Sequence, residues 1–158
     1  MPLVNLSELI EMAVKDEETG IAFYRALAER AKDADVRRQV LAIAQQEEVQ
    51  LAWFRKMLDE VGQYQPTEQY PGEYEEYLWA LLKSRAFPEP EAAAAKARAV
   101  AGDAEGIDVA IRLEKDTLLF LHEMRRFLGD ERSAYVDVII DEEQDHLVDL
   151  AKLKGMVS

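Results

Sequence analysis

Apolar residues recur at every third or fourth position along most of the chain, a spacing that predicts long amphipathic helices. Asp35 is the predicted N-cap of the second helix, and Gly155 is the predicted end of the fourth. Only a few residues separate the first helix from the second and the third from the fourth, so each pair should form an antiparallel hairpin. The helices are predicted at about residues 6–32, 35–61, 104–128 and 131–154.

A segment of about forty residues, 62–103, connects the two hairpins. Its four prolines exclude one continuous helix, although EYEEYLWALLKS and EAAAAKARAV each predict a shorter helix within it. A connection of this length can run from one end of a helical bundle to the other. We therefore predict an all-α fold with a single domain over residues 1–158. The predicted fold is a four-helix bundle in outline: two helical hairpins joined by a long crossover containing short helices.

The apolar face of each predicted long helix is interrupted near its middle by a carboxylate. On the fourth helix this carboxylate is followed one turn later, on the same face, by His146, and on the second helix by Gln50 in the same way. The four carboxylates are Glu17, Glu47, Glu114 and Glu143.

The two hairpins also resemble each other in sequence. Residues 13–27 align with residues 110–124, which pairs Glu17 with Glu114. Residues 44–54 align with residues 140–150, which pairs Glu47 with Glu143 and Gln50 with His146. This repeat predicts two pseudo-symmetric helix pairs whose carboxylates meet at one depth in the bundle.

Four carboxylates in a dry bundle would repel one another and lose their hydration, and their stripes carry no Lys or Arg to pair with them. Two divalent cations would neutralise them. A ligand set rich in oxygen with some nitrogen suits iron or manganese. A single Glu-x-x-His is common by chance, but four interruptions at matching depth in a repeated pattern favour a metal centre.

The amino-acid composition argues against several classes of binding partner and of chemical site. With 19 basic and 32 acidic residues, the net charge of −13 disfavours nucleic acid and anionic membranes, although solubility alone explains such a surface. The absence of cysteine excludes disulfides, zinc–thiolate sites, iron–sulfur clusters and thiol nucleophiles. No signal peptide or membrane-spanning run is visible in the sequence, which predicts a cytoplasmic protein.

The phrases EETGIAFYRAL and LEKDTLLF, together with the four carboxylates and His146, resemble the ferritin-like superfamily and its rubrerythrin-type members. The resemblance spans all four long helices and implies that the predicted four-helix bundle is ferritin-like. It implies a centre of two iron ions, with manganese as the alternative, that reacts with dioxygen or hydrogen peroxide, often within a homodimer. It makes Glu17 and Glu114 terminal ligands, Glu47 and Glu143 bridging ligands, and His146 a ligand of one metal.

Two departures from the family pattern affect this interpretation. Gln50 stands where the first Glu-x-x-His motif has its histidine, so it is a weak ligand, a hydrogen-bond donor to Glu47 or Glu17, or a solvent-facing residue. Rubrerythrins also carry a rubredoxin-type domain with four cysteines, which these residues lack. An external electron-donor protein is therefore expected.

Three functions remain open from the sequence. The first is an oxidoreductase acting on peroxide or dioxygen or oxidising Fe(II); the second is a non-catalytic iron or manganese binding or storage protein; the third is a metal-free helical scaffold. His122, Glu18, Glu48 and Glu142 are predicted to face away from the centre. Trp53 and Trp79 are candidates for a dimer interface, and packing is predicted for Tyr64, Tyr70, Tyr74 and Tyr77 of the crossover.

Overall fold

The fold is available as a computed structural model, which describes residues 6–62, 76–77, 80–81, 83–84 and 89–157. Every regular element in these ranges is an α-helix, as the sequence predicts. The helices are α1 (Leu6–Arg30), α2 (Ala34–Gly62), α3 (Pro90–Ala99), α4 (Asp103–Arg125) and α5 (Asp130–Val157).

The four long helices form two hairpins that pack into one bundle. Helix α1 packs along α2, and α4 packs along α5; across the hairpins α1 touches α4, and α2 touches α5. The start of α1 shares an apolar cluster with the end of α4, and the end of α2 shares the same cluster with the start of α5. Both contacts between the hairpins are therefore antiparallel, and the predicted four-helix bundle is confirmed.

Two apolar clusters of described residues occupy opposite ends of the bundle. The first contains the beginning of α1 and α5 and the end of α2 and α4, with Phe54 and Phe120 among its largest side chains. The second contains the other end of each long helix, with Phe23 and Ile107 fully buried. Every predicted site residue lies in the stretch between these clusters. The helices therefore place a polar layer halfway along an otherwise apolar core.

Helix α3 belongs to the crossover and covers the second cluster. It packs against α1 through Ala93, Ala94 and Ala97, whose small side chains let the two helices approach closely. This is the helix predicted from EAAAAKARAV. Of the other predicted crossover helix, residues 76–77, 80–81 and 83 are helical, whereas Tyr64, Tyr70, Tyr74 and Trp79 lie outside the described residues.

Several helix ends differ from the predicted ones. The side chain of Asp33 accepts hydrogen bonds from the backbone N–H groups of Asp35 and Val36, so Asp33, and not Asp35, caps α2. Helix α4 ends at Arg125 and is followed by a tighter turn with i to i−3 bonds. Helix α5 continues through Gly155 to Val157, because a glycine is tolerated near a helix end without a left-handed conformation.

Ion pairs join the helices of each hairpin at the surface. Arg55 on α2 binds Glu18 on α1 at 3.0 Å, and Lys154 on α5 binds Asp108 on α4 at 2.5 Å. Exposed pairs of this kind contribute only about 0–1 kcal/mol each, so apolar burial holds the bundle together. Among the described helices, none combines the length and apolar character that a membrane span requires.

Candidate metal centre

Four buried side chains from three helices meet in the polar layer. Glu47 comes from α2, Glu114 from α4, and Glu143 and His146 from α5. Each offers one potential ligand atom, and these four atoms lie within 4.8 Å of one another. Each of the four residues is at most 5 % exposed. Three carboxylates and an imidazole therefore share a small volume that excludes bulk water.

Helical spacing brings the two residues of α5 together. Glu143 and His146 are three residues apart, so both side chains project from the same face of the helix. Nδ1 of His146 lies 3.6 Å from Oε2 of Glu143 and 3.8 Å from Oε1 of Glu114. The ring nitrogen thus faces the carboxylates of two different helices.

The donor atoms of this layer are largely unpartnered. Both carboxylate oxygens of Glu143, one oxygen each of Glu47 and Glu114, and Nδ1 of His146 are buried without a hydrogen-bond partner among the described residues. A buried polar atom left unpaired typically costs about 1–3 kcal/mol, and more if it is charged. A bound cation would satisfy such atoms, since these four residues each bring a potential ligand atom within 4.8 Å of the others.

The pKa values of the buried glutamates are shifted in the direction expected for carboxyl groups clustered in a dry layer. Burial raises the pKa of Glu17, Glu47 and Glu114 well above the usual carboxyl value, and the charges of neighbouring glutamates raise these pKa values further. Burial also raises the pKa of Glu143, although the proximity of Glu114 and Gln50 partly offsets this effect. Without a cation, the layer therefore favours protonated carboxyl groups over carboxylates.

Glu17 lies beside the four-residue group and does not belong to it. Its side chain is buried on α1, and the charges of Glu143 and Glu114 both raise its pKa, so it faces the same layer. The site is therefore extended: one compact group of four donors has a fifth carboxylate next to it. A single cation would use the compact group, and a second would need Glu17.

Gln50 is buried at 2 % exposure, so the solvent-facing alternative is wrong. Its amide Nε2 donates a hydrogen bond to Oε2 of Glu142 at 2.7 Å, and not to Glu47 or Glu17. Its Oε1 is buried without a partner among the described residues. Glu142 is half-buried and turned toward Gln50, so the expectation that it faces away from the site is also wrong.

Two further residues shape the layer and were not assigned to it from the sequence. The Tyr24 hydroxyl donates a hydrogen bond to Oε1 of Glu114 at 2.5 Å. A Cβ atom on Gly20 would lie 2.2 Å from Oε2 of Glu47, so only a glycine leaves room for this carboxylate against α1. The signal for Gly20 was present, because a glycine inside a helix usually has a packing or functional reason.

The remaining sequence predictions concern residues outside the layer. His122 is exposed on α4, as expected for a residue that is not a ligand. Glu18 and Glu48 pair with Arg55 and Arg25 on the outside of the first hairpin. Trp53 is 41 % exposed, and its ring packs edge-on against Tyr135 with 4.4 Å between centroids.

A helical bundle of this kind, with inward-pointing carboxylates and an imidazole in a dry central layer, defines the class of ferritin-like carboxylate proteins. The chain belongs to the rubrerythrin family, whose family model matches residues 8–154. A search of curated proteins found no match.

Two solved structures share the fold. A Thermotoga maritima protein, provisionally described as a ferritin-like diiron-carboxylate protein, is 24 % identical with a TM-score of 0.72. The similarity covers 100 % of this chain and 99 % of that one. A hypothetical protein from Pyrococcus furiosus is 19 % identical with a TM-score of 0.68, over 96 % of this chain and 89 % of that one.

Proposed function

We propose that this chain is a di-iron oxidoreductase that reacts with hydrogen peroxide or dioxygen. The observation that carries the proposal is the convergence of unpartnered, buried donor atoms from Glu47, Glu114, Glu143 and His146. Membership of the rubrerythrin family and the likeness to a diiron-carboxylate protein support iron over manganese. A metal-free scaffold would have no use for these costly unpaired groups.

The donor set fits two metals with shared ligands. Glu47 and Glu143, on the two helices that carry the Glu-x-x-Gln and Glu-x-x-His motifs, would bridge the metals. Glu17 and Glu114 would each bind one metal, and His146 would bind the metal on the Glu114 side, since its Nδ1 lies 3.8 Å from Oε1 of that residue. Oxygen ligands from carboxylates and one or few nitrogen ligands suit Fe(II) and Mn(II).

When bound, two Fe(II) ions supply two electrons, one from each ion, which with two protons reduce hydrogen peroxide to two waters. The residues around the site control its protons and its access to water. Tyr24 keeps a proton on its hydroxyl oxygen beside Glu114, because burial and the charge of that carboxylate raise the tyrosine pKa. The apolar clusters on either side of the layer exclude bulk water from the carboxylates.

Electrons for further turnover would come from a separate protein. The 158 residues contain no cysteine, so they offer no thiolate iron site from which electrons could reach the centre. We also propose an external electron donor, a homodimeric assembly and a cytoplasmic location; the likeness to rubrerythrins supports the homodimer, and the lack of cysteine supports the external donor. Sedimentation of the purified protein tests the dimer.

A single-turnover experiment tests the proposed function. Protein loaded anaerobically with Fe(II) should be oxidised by one equivalent of hydrogen peroxide and should stay oxidised until a reductant is added. Glu143→Ala should reduce both bound iron and oxidation, whereas Asp141→Ala, an exposed neighbour on the same helix, should leave both unchanged. Stable Fe(II) binding with no response to peroxide or dioxygen would favour the storage function. No binding of Fe(II) or Mn(II), with no rise in melting temperature, would leave only the scaffold.

A further inference from the structure

Two hydrogen bonds cross the contact between α2 and α5, one at each of the two Glu-x-x-Gln/His motifs. Nε2 of His146 lies 2.5 Å from Oε1 of Gln46, and Nε2 of Gln50 lies 2.7 Å from Oε2 of Glu142. In the internal repeat, Gln50 aligns with His146 and Gln46 aligns with Glu142. The two bonds are therefore the same contact, made once in each direction by residues of equivalent position.

We propose that Gln46 and Glu142 are a matched pair of positioning residues, and that Glu142 makes Gln50 the ligand equivalent of His146. This inference rests on the proposed metal centre and deepens it. It assigns a role to Gln46 and Glu142, which contact the ligand side chains and are not themselves in the four-residue donor group. It also makes Gln50, at the position where the family pattern has a histidine, a ligand through its amide oxygen.

The Gln46 contact determines which nitrogen of His146 is free. An amide oxygen can only accept a hydrogen bond, so Nε2 of the ring must carry the proton in this contact. The neutral ring then has its lone pair on Nδ1, the atom that faces Glu114 and Glu143 and has no partner among the described residues. Gln46 thus selects the tautomer in which His146 can bind a metal.

The Glu142 contact determines which atom of the Gln50 amide is free to bind a metal. Because the amide nitrogen is held by Oε2 of Glu142, the free atom of the side chain is its carbonyl oxygen, which is buried and unpartnered. A carboxylate that accepts from the N–H also increases the electron density on that oxygen. The amide of Gln50, which is the weaker ligand, is therefore bonded to a carboxylate, that of Glu142. The imidazole of His146, which is the stronger ligand, is bonded to the neutral amide of Gln46.

The Gln46 part is tested by nitrogen-15 NMR on the metal-free protein. The chain contains only two histidines, and exposed His122 serves as the internal reference. At mildly alkaline pH, His146 should show a single tautomer with the proton on Nε2. Gln46→Ala should mix the two tautomers, Gln46→Glu should restore the single one because it keeps an acceptor, and the exposed-site control Gln45→Ala should have no effect. An unchanged His146 tautomer in Gln46→Ala would overturn the role of Gln46.

The Glu142 part is tested by anaerobic calorimetric titration with Fe(II) and, separately, Mn(II). Glu142→Ala should weaken one of two binding events roughly 10- to 100-fold, the usual effect of losing such a partner. Glu142→Gln should fall between this variant and the wild type, and Asp141→Ala should match the wild type. In the Gln50→Ala background, Glu142→Ala should cause little further loss, since both act through the same ligand.

The outcomes separate this inference from the proposed function. If the wild type binds two metals and the losses from Glu142→Ala and Gln50→Ala simply add, Glu142 does not act through Gln50 and the inference is wrong. If the wild type binds no metal, the proposed function fails instead, while the NMR experiment still decides the role of Gln46. Circular dichroism of each variant shows that a loss of binding is not a loss of fold.

Discussion

Tyr24 on α1 donates its hydroxyl hydrogen to Oε1 of Glu114 on α4, at 2.5 Å, in the fully buried layer between the two apolar clusters. The residue that aligns with Tyr24 in the internal repeat is Leu121, which has no polar group. The two halves of the centre therefore have different hydrogen-bond partners. Glu114 on α4 accepts a hydrogen bond from a hydroxyl of the first hairpin, whereas Leu121, at the equivalent position of the second hairpin, has no side-chain donor to offer Glu17.

Replacement of Tyr24 by phenylalanine should destabilise the metal-free protein. The variant leaves Oε1 of Glu114 buried without its donor, and such a loss typically costs about 1–3 kcal/mol in the free energy of unfolding. Urea denaturation measures the change. Tyr135→Phe is the matched control, because the residue is 41 % exposed and its hydroxyl can be lost at little cost. Equal stabilities of the two variants would contradict a structural role for the Tyr24 hydrogen bond.

Gly20→Ala should weaken metal binding without weakening the fold. The added Cβ would lie 2.2 Å from Oε2 of Glu47, so this carboxylate must move, but it is the flexible end of its side chain and can do so. Alanine also favours a helix by about 1 kcal/mol over glycine, which offsets the displacement. Gly155→Ala in α5 is the control, since nothing lies within 4 Å of its Cβ position. Calorimetric titration with Mn(II) should show lower affinity for Gly20→Ala only; unchanged affinity would place Glu47 outside the metal site.

The stability of the metal-free protein should fall as the pH rises above about 4.5. Burial raises the pKa of Glu17, Glu47, Glu114 and Glu143 above 4.5, the ordinary value for a glutamate, so the folded state retains protons that the unfolded state has already released. Stability then decreases with pH through this window until the folded carboxyl groups ionise as well. Bound metal takes the place of these protons, so the stabilisation by metal should grow with pH. Urea denaturation across this range, with and without Mn(II), measures both trends; a flat profile for the metal-free protein would contradict the burial of these groups.

Gln50→His should tighten the weaker of two metal affinities. An imidazole nitrogen is a stronger ligand for iron than an amide oxygen, and the site on the Gln50 side lacks the nitrogen that His146 supplies on the other side. The wild type should therefore bind Fe(II) or Mn(II) with two unequal affinities, which become more alike in the variant. Two equal affinities in the wild type that the substitution leaves unchanged would contradict this asymmetry. Gln45→His, at an exposed neighbouring position, controls for a histidine added elsewhere on the helix.

Much of the fold follows from the sequence, because amphipathic periodicity is a local property of a helix. The positions of the long helices, their hairpin pairing and the burial of Glu17, Glu47, Glu114, Glu143 and His146 could all be inferred from spacing alone. A polar residue on an apolar face has to be buried wherever that face packs. The internal repeat further indicated that these residues lie at one depth.

The hydrogen-bond partners of the site could not be inferred in this way. Whether Gln50 reaches Glu142, whether Gln46 reaches His146 and whether Tyr24 reaches Glu114 depends on the rotation and axial register of one helix against another. Glu142 illustrates the difference: its position on α5 predicts a residue that faces away from the centre, and only the close approach of α2 provides the amide of Gln50 that binds it. Sequence periodicity determined which residues face inward, whereas tertiary packing decided which of them touch, because contact requires both helices to be placed.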